Sequence, residues 1–209
     1  RAAVATPWTG PAGGYRADAW QRWGAGAQRG ATLGPIENTQ HPGVGYGTAA
    51  SAEALDELVR LGCTWVSFTP FGRLWNLQST DISLRFEAPF EANRAAVLRV
   101  MRQAHDRGLR VFLIPHLWVD MGGWRGEIDP GSPEGWRRWF ASYTRFVTAW
   151  ARVAEEGRAE MFSLGVELKS SSGTQGAWFD VIDAVRREYH GLLTYSANWG
   201  EEADVLFWD

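Results

Sequence analysis

Short strand-like runs alternate along this chain with longer helix-like segments. The predicted strands cover residues 30–34, 64–70, 110–117, 161–167 and 192–197, and the predicted helices cover 51–61, 91–107, 133–156 and 175–189. Strands and helices of these lengths, in alternation, imply a parallel sheet with helices packed on it, by the right-handed crossover rule. The predicted fold class is therefore α/β.

Residues at the helix ends support these boundaries. Ser132 can cap the helix that begins at Pro133, and proline suits the first turn of a helix. Gly62, Gly108 and Gly191 each lie between a predicted helix and the next strand. We expect each of them to adopt the left-handed cap conformation, which glycine reaches without strain. Three such junctions favour repetition of βα units.

Polar and aromatic residues stand at the ends of three predicted strands. Glu167 ends the fourth strand, His116 and Trp118 end the third, and Asn198 and Trp199 follow the fifth. In a parallel α/β barrel, the strand C-termini and the loops after them form the active face. The distribution predicts a sugar-binding enzyme cleft, in which indole faces stack on sugar rings and the Asn, His and Glu side chains bind hydroxyls.

The number of strands falls short of a closed barrel. A (β/α)8 TIM barrel needs eight strands over about 250 residues, and five are predicted here. The chain ends at 205–209 in an apolar segment that leads toward another strand, so we expect it to be part of a longer protein. The alternative is a complete five-stranded doubly wound domain, although no phosphate-binding glycine fingerprint supports a nucleotide role.

Composition limits the partners of such a cleft. A length of 209 residues with 45% hydrophobic content is expected to form one domain with a substantial core. The net charge of −3 gives no electrostatic reason to expect nucleic acid or an anionic membrane, and no apolar run reaches the length of a membrane span. Cys63 is the single cysteine and the four histidines are scattered, so we expect neither a metal nor a cofactor. We assign roughly two thirds of the tryptophans to packing and the rest to a ligand surface.

Nine short motifs follow one another in order and with compatible spacing: Arg29-Gly30-Ala31-Thr32, Gly62-Cys-Thr-Trp-Val66, Gly108-Leu-Arg-Val111, Gly123-Trp-Arg125, Trp139-Phe-x-x-Tyr143, Glu160-Met-Phe162, Gly165-Val-Glu-Leu168, Leu193-Thr-Tyr195 and Phe207-Trp-Asp209. This series resembles glycoside hydrolase family 113, which consists of retaining β-mannanases of the (β/α)8 clan. The resemblance defines a partial (β/α)8 domain over 29–209 and leaves 1–28 as an irregular N-terminal arm.

The resemblance implies hydrolysis of β-1,4-linked mannose polymers or oligosaccharides. It also implies one Glu after the fourth strand as general acid/base and another after the seventh as nucleophile. Glu167 matches the first, and the second has no counterpart because the chain ends before a seventh strand. Val166 stands where the wider clan often has Asn, a position at which family 113 is itself variable. Analogy with other polysaccharide hydrolases favours an extracellular or cell-envelope location.

Other interpretations of these side chains stay open. Glu167 can instead form a strand-end ion pair with Lys169 or Arg125. His116 can be a hydrogen-bonded core histidine, and Asn198 can simply begin the next turn.

The aromatic residues have similar alternatives. Trp118 can be a lid over the barrel mouth, and Trp124, held among glycines in the loop after the third strand, can be either a sugar platform or a loop anchor.

A second class of function also fits an incomplete barrel. The cleft can belong to a module that binds a polysaccharide or a protein without turnover. Such a module exposes sheet edges and apolar surface, so it needs the missing part of the barrel, another chain or self-association to cover them.

Overall fold

Five parallel strands form the main sheet in the computed structural model of the chain, which describes residues 28–34 and 43–207. In chain order, the strands are β1 (Gly30–Leu33), β2 (Trp65–Phe68), β3 (Phe71–Leu74), β4 (Arg110–Leu113), β5 (His116–Val119), β6 (Met161–Val166) and β7 (Leu192–Ser196). The main sheet has the order β1-β2-β4-β6-β7, and β3 pairs with β5 in a separate parallel ladder.

The helices lie between these strands, and four of the five begin within two residues of a predicted start; the short helix at Lys169–Ser172 was not predicted. They are α1 (Ala49–Arg60), α2 (Phe90–His105), α3 (Pro133–Glu156), α4 (Lys169–Ser172) and α5 (Gln175–Arg186), with a 3-10 turn at Arg125–Glu127. The Ser132 hydroxyl accepts a hydrogen bond from Gly135 N at 3.0 Å, and Pro133 occupies the first turn of α3. The predicted cap is therefore confirmed.

The strand order distinguishes a barrel wall from a doubly wound sheet. The main-sheet strands follow one another in space in chain order, whereas a doubly wound sheet reverses its order at a switch point. The helices pack in the same succession, α1 on α2, α2 on α3 and α3 on α5, so they form one layer. The described residues therefore form part of a (β/α)8-type wall, and the doubly wound alternative is wrong.

Prolines lie at the end of the predicted second strand and within the predicted third. Pro70 separates β2 from β3 and Pro115 separates β4 from β5, because proline has no N–H for a ladder bond. The strands still pair across the break, since Ile114 N donates to Phe68 O and His116 N donates to Pro70 O, each at 2.8 Å. The predicted third strand is therefore divided between β4 and β5, whereas β3 is an additional strand that follows the predicted second one.

The glycines between helices and strands behave in two ways. Gly62 and Gly108 have φ values of 80° and 74°, which confirms the predicted left-handed caps. The prediction is wrong for Gly191, which is not left-handed. A Cβ there would lie 2.1 Å from the Tyr189 hydroxyl, so close approach requires this glycine. At the junction before β6 a non-glycine residue, Arg158, takes the left-handed conformation with φ 56°.

The core lies between the sheet and the helix layer, and α3 contributes its largest side chains. Trp139, Tyr143, Phe146 and Trp150 recur at three- and four-residue spacing and are each 1% exposed or less. Burying an aromatic side chain of this size stabilises the fold by about 2–3 kcal/mol. Within the described ranges, no helix has the length and apolarity needed to cross a membrane. The predicted arm at 1–28 lies outside the described residues except for Gln28.

Candidate active site

Glu167 directly follows β6, where the pairing of this strand with β7 changes register. Ser163 pairs with Thr194, and the next residue pair is Val166 with Ser196. In this stretch β6 therefore has one more residue than β7. A bulge of this kind bends a strand and changes the direction of the side chains that follow. The bulge in β6, as well as the strand itself, therefore sets the direction of the Glu167 carboxylate.

The backbone of Glu167 is itself unusual. Its φ is 53°, a left-handed conformation that costs roughly 1–2 kcal/mol for a residue with a side chain. Its N–H donates to Ser196 O at 2.9 Å, and the next N–H, of Leu168, donates to the Tyr195 hydroxyl at 2.7 Å. Strained residues of this type concentrate at functional sites and persist only where the surrounding structure holds them.

The loop after β5 brings two donors to the Glu167 carboxylate. Trp124 Nε1 donates to Oε2 at 3.1 Å, and Arg125 Nη1 lies 3.3 Å from the same oxygen. Arg125 Nε also donates to Leu117 O at 3.2 Å, which fixes the guanidinium on β5. The ion pair with Arg125 that the sequence left open is therefore present, whereas Lys169 is exposed at the start of α4. Trp124 is a partner of the carboxylate and not only a loop anchor.

His116 lies close enough to this pair to interact with both charges. Burial lowers its pKa below the ordinary 6.5, Arg125 lowers it further, and Glu167 partly opposes the shift. His116 Nδ1 contacts Ile114 O at 2.8 Å, and a carbonyl can only accept, so Nδ1 carries the proton. The neutral ring therefore presents Nε2 as an acceptor. Burial also lowers the pKa of Arg125, and Glu167 counters that effect.

The short β3-β5 ladder sets the direction of the residues beyond the prolines. Phe71 pairs with His116 and Arg73 pairs with Trp118, so these four side chains share one face. The opposite face packs on α3, because a Cβ at Gly72 would lie 2.5 Å from the Phe146 ring. His116 and Trp118 therefore share a face that points away from the helix layer.

An aromatic cluster covers this face. The rings of Phe71 and Phe86 stack at 5.0 Å, and Trp118 meets them edge-on at 6.1 and 6.4 Å. Arg73 lies 4.9 Å from the centre of the Phe86 ring and pairs with carboxylates of Glu87 and Asp120. Trp118 remains 50% exposed. The cluster thus joins a partly exposed indole to a fixed guanidinium.

Sequence reasoning did not identify Phe86 as part of this face. The residue lies in the loop between β3 and α2, and its backbone forms an isolated bridge with nearby Ala88. No periodic pattern marks such a position, since its partners come from other strands. The direction of Phe71 and Arg73 could have been inferred from strand alternation had the break at Pro70 been recognised.

The loop after β7 holds the other predicted ligand-binding residues. Trp199 is 97% exposed. Asn198 Oδ1 accepts from Trp199 N at 2.7 Å, and Asn198 N donates to Glu201 Oε2 at 2.8 Å. Asn198 therefore begins a turn, as the alternative interpretation proposed. Its role toward a ligand stays a prediction, as does that of Trp199.

Several other polar residues prove to be structural. Asp129 accepts from Gly131 N at 2.9 Å and so stabilises a turn. Ser170, Ser171 and Ser172 lie in α4 and donate to backbone carbonyls. Within residues 28–34 and 43–207, no three His, Cys, Asp or Glu side chains come together as a metal-ion site requires.

A parallel βα wall with a carboxylate, a histidine and aromatic side chains at its carboxyl end is the architecture of a (β/α)8-type glycoside hydrolase. The family model "Glycoside Hydrolase Family 113" matches residues 39–209. The chain belongs to this family. Among curated proteins, none matches the chain.

Solved structures of family 113 enzymes are similar to this chain. The GH113 β-mannanase AaManA from Alicyclobacillus acidocaldarius, in complex with ManMIm, is 28% identical with a TM-score of 0.76, over 87% of this chain and 57% of that one. A GH113 β-1,4-mannanase described as a complex structure is 27% identical with a TM-score of 0.75, over 86% and 58% of the two chains. The family neighbours are TIM barrels, and this chain spans less than two thirds of their length.

Proposed function

We propose that the protein is a retaining glycoside hydrolase acting on β-1,4-mannan or related β-linked oligosaccharides, with Glu167 as its general acid/base. The observation that carries this proposal is the placement of Glu167. It follows β6 in a left-handed conformation, and its carboxylate is held by Trp124 and Arg125 beside His116. Family membership and the mannanases among the solved neighbours support mannan as the substrate class.

In the proposed reaction, Glu167 acts twice. It first gives a proton to the glycosidic oxygen as the bond to the anomeric carbon breaks. It then takes a proton from the water that attacks the glycosyl-enzyme intermediate, so the same residue is acid and base in turn. Both protein donors bind Oε2, which leaves Oε1 as the oxygen for this proton transfer.

The second carboxylate of a retaining enzyme must lie about 5–5.5 Å from the first, on the other side of the anomeric carbon. Glu201, which follows β7, is fully buried and bound to Tyr195, so it is unsuited to attack a sugar. The proposal assigns the nucleophile to a later strand of the barrel, beyond the five strands of the main sheet. This chain spans 57–58% of the solved mannanases, so part of their length has no counterpart in it.

Substrate binding is assigned to the face that adjoins Glu167. His116 Nε2 accepts a sugar hydroxyl, and the Trp118 indole packs against the apolar face of a ring. Trp124 contributes beside the acid, and Asn198 and Trp199 contribute from the loop after β7. A neutral ligand suits this arrangement, because the charges of Arg73 and Arg125 are already paired with carboxylates.

The experiment compares reducing-end release from β-1,4-manno-oligosaccharides by the 209-residue chain and by the longest product of its gene. Each is tested as wild type and as Glu167→Gln, which keeps the shape of the side chain and removes its acidic proton. Glu53→Gln is the matched control, since Glu53 is exposed on α1. We expect Glu167→Gln to lower turnover by at least about 100-fold and the control to leave it unchanged.

Two results would contradict the proposal. Equal turnover by Glu167→Gln and wild type would remove Glu167 from the chemistry. Oligosaccharide binding without turnover by both chains would instead identify a non-catalytic binding module.

A further inference from the structure

Glu201 is the one charged residue among the buried residues in the described part of the chain. It lies in the loop after β7, and its relative exposure is 0%. The carboxylate accepts hydrogen bonds from the Tyr195 hydroxyl at 2.5 Å and from Asn198 N at 2.8 Å. Both oxygens are thus bound, as a buried carboxylate requires.

The Tyr195 hydroxyl connects Glu201 to the acid/base loop. It donates to Glu201 and accepts from the N–H of Leu168, at 2.7 Å. Burial raises the pKa of Tyr195 above its ordinary 10.0, and the hydrogen bond to Glu201 raises it further, so the phenol keeps its proton. The direction of the connection is therefore fixed: Leu168 N–H to the phenol oxygen, and the phenol O–H to the Glu201 carboxylate.

This connection holds the strained peptide that carries Glu167. β7 binds two consecutive amides, Glu167 N through Ser196 O and Leu168 N through the Tyr195 hydroxyl. The ring of Tyr195 is packed into the bulge of β6, where only glycine fits at position 165. A left-handed glutamate persists only where neighbouring groups enforce it, and these two hydrogen bonds are suited to do so.

We propose that Glu201 is a positioning residue that fixes the Glu167 carboxylate through Tyr195 and the Leu168 amide. Its effect on catalysis rests on the function proposed above. The Glu201 carboxylate orients the phenol, the phenol oxygen holds the amide next to Glu167, and the acid is kept at the distance that proton transfer demands. A displacement of about 1 Å at a reacting group can reduce a rate by roughly 100-fold.

The first test measures how firmly the Leu168 amide is held and does not depend on enzymatic turnover. Hydrogen exchange at the Leu168 amide is measured in wild type, Tyr195→Phe and Glu201→Gln. Tyr195→Phe removes the acceptor of Leu168, and Glu201→Gln puts an NH2 group against one of the two donors. We expect exchange at Leu168 to accelerate by about tenfold in Tyr195→Phe and by a smaller factor in Glu201→Gln. Unchanged exchange in Tyr195→Phe would overturn the inference.

Tyr189→Phe is the matched control. Tyr189 is also a buried tyrosine whose hydroxyl donates to a backbone carbonyl, that of Ala159, at 2.7 Å. It lies at the other end of the sheet, before β7 begins. This variant loses a comparable hydrogen bond and should lower the melting temperature without accelerating exchange at Leu168.

The second test separates positioning of the acid from general stability. Aryl mannosides with a good leaving group, such as dinitrophenolate, need little protonation, whereas oligosaccharides need it fully. We expect kcat/KM of Tyr195→Phe and Glu201→Gln to fall about 10- to 100-fold on oligosaccharides and less than about threefold on the dinitrophenyl substrate. Equal losses on both substrates would overturn the catalytic part of the inference.

If the proposed function is wrong, the two measurements separate. In that case Glu167→Gln leaves turnover unchanged, while exchange at Leu168 still reports whether Glu201 and Tyr195 hold the peptide.

Discussion

The indole Nε1 of Trp124 donates a hydrogen bond to Glu167 Oε2 over 3.1 Å. The loop after β5 thereby contacts the residue that directly follows β6, so two loops at the carboxyl end of the sheet are joined by one hydrogen bond. Hydrogen bonds to a carboxylate are roughly twice as strong as those between neutral groups. The position of the Glu167 carboxylate therefore depends on an aromatic residue distant from it in sequence.

Replacing Trp124 by Phe tests this dependence. The ring is largely kept and the N–H donor is lost, so we expect kcat/KM on manno-oligosaccharides to fall roughly 10- to 100-fold, with the larger part in kcat. Initial rates over a range of substrate concentrations give the two parameters. Trp136→Phe is the control, because Trp136 packs on Trp139 and Phe140 of α3. An equal loss in both variants would refute a specific role for the indole N–H.

The buried histidine predicts how stability depends on pH. Burial and Arg125 lower the pKa of His116 below 6.5, against the opposing effect of Glu167. Between the two pKa values the unfolded chain binds more protons than the folded one, so stability rises with pH in that window and is lost as pH falls through it. We expect the melting temperature to decline below about pH 6.5 and the decline to be shallower in His116→Gln. Identical profiles for the two proteins would show that His116 contributes nothing.

Gly165 is predicted to be intolerant of a side chain. A Cβ there would lie 2.9 Å from the Tyr195 ring and 3.0 Å from the side chains of Trp178 and Tyr143. These groups are buried, so Gly165→Ala should lower the free energy of unfolding by about 1–3 kcal/mol. Gly173→Ala is the control, since nothing lies within 4 Å of its Cβ position. Urea denaturation compares the two, and equal stabilities would contradict the packing argument.

The exposed indole of Trp118 is predicted to contribute to binding and not to the chemical step. Trp118→Ala removes an aromatic surface that is 50% exposed beside Phe71 and Phe86. We expect affinity for longer manno-oligosaccharides to fall by about fivefold, measured by calorimetry with the Glu167→Gln protein to prevent turnover. Phe179→Ala, on the exposed face of α5, should leave affinity unchanged. Unchanged affinity in Trp118→Ala would mean that the ligand does not reach this surface.

The elements of this fold could be predicted because they depend on local patterns. Apolar runs of strand length, a serine-proline helix start and glycine junctions gave the βα units and placed Glu167 at a strand end. The break at Pro115 was visible in the sequence, since proline cannot donate to a ladder. An isolated glycine within a strand, Gly165, likewise indicates a bulge.

The contacts within the site could not be predicted in the same way. The ion pair of Glu167 with Arg125 was one of two alternatives that the sequence left open, but the hydrogen bond from Trp124 was not foreseen. Trp124 reaches Glu167 across about forty residues of chain, and nothing local to either loop specifies that contact. Nothing in the sequence marks Glu201 as buried, and only the structure shows its contact with Tyr195. Such pairings depend on the packing of separate strands, which periodicity does not encode.

The most direct test of the central claim uses azide with Glu167→Ala and a dinitrophenyl β-mannoside, in the longest product of the gene. Loss of an acid/base carboxylate leaves room for this small anion to attack the glycosyl-enzyme intermediate on the face that water normally uses. We predict that azide restores turnover and that the product is the β-mannosyl azide. An α-mannosyl azide would identify Glu167 as the nucleophile, and turnover by Glu167→Ala equal to wild type on oligosaccharides without azide would exclude it from catalysis.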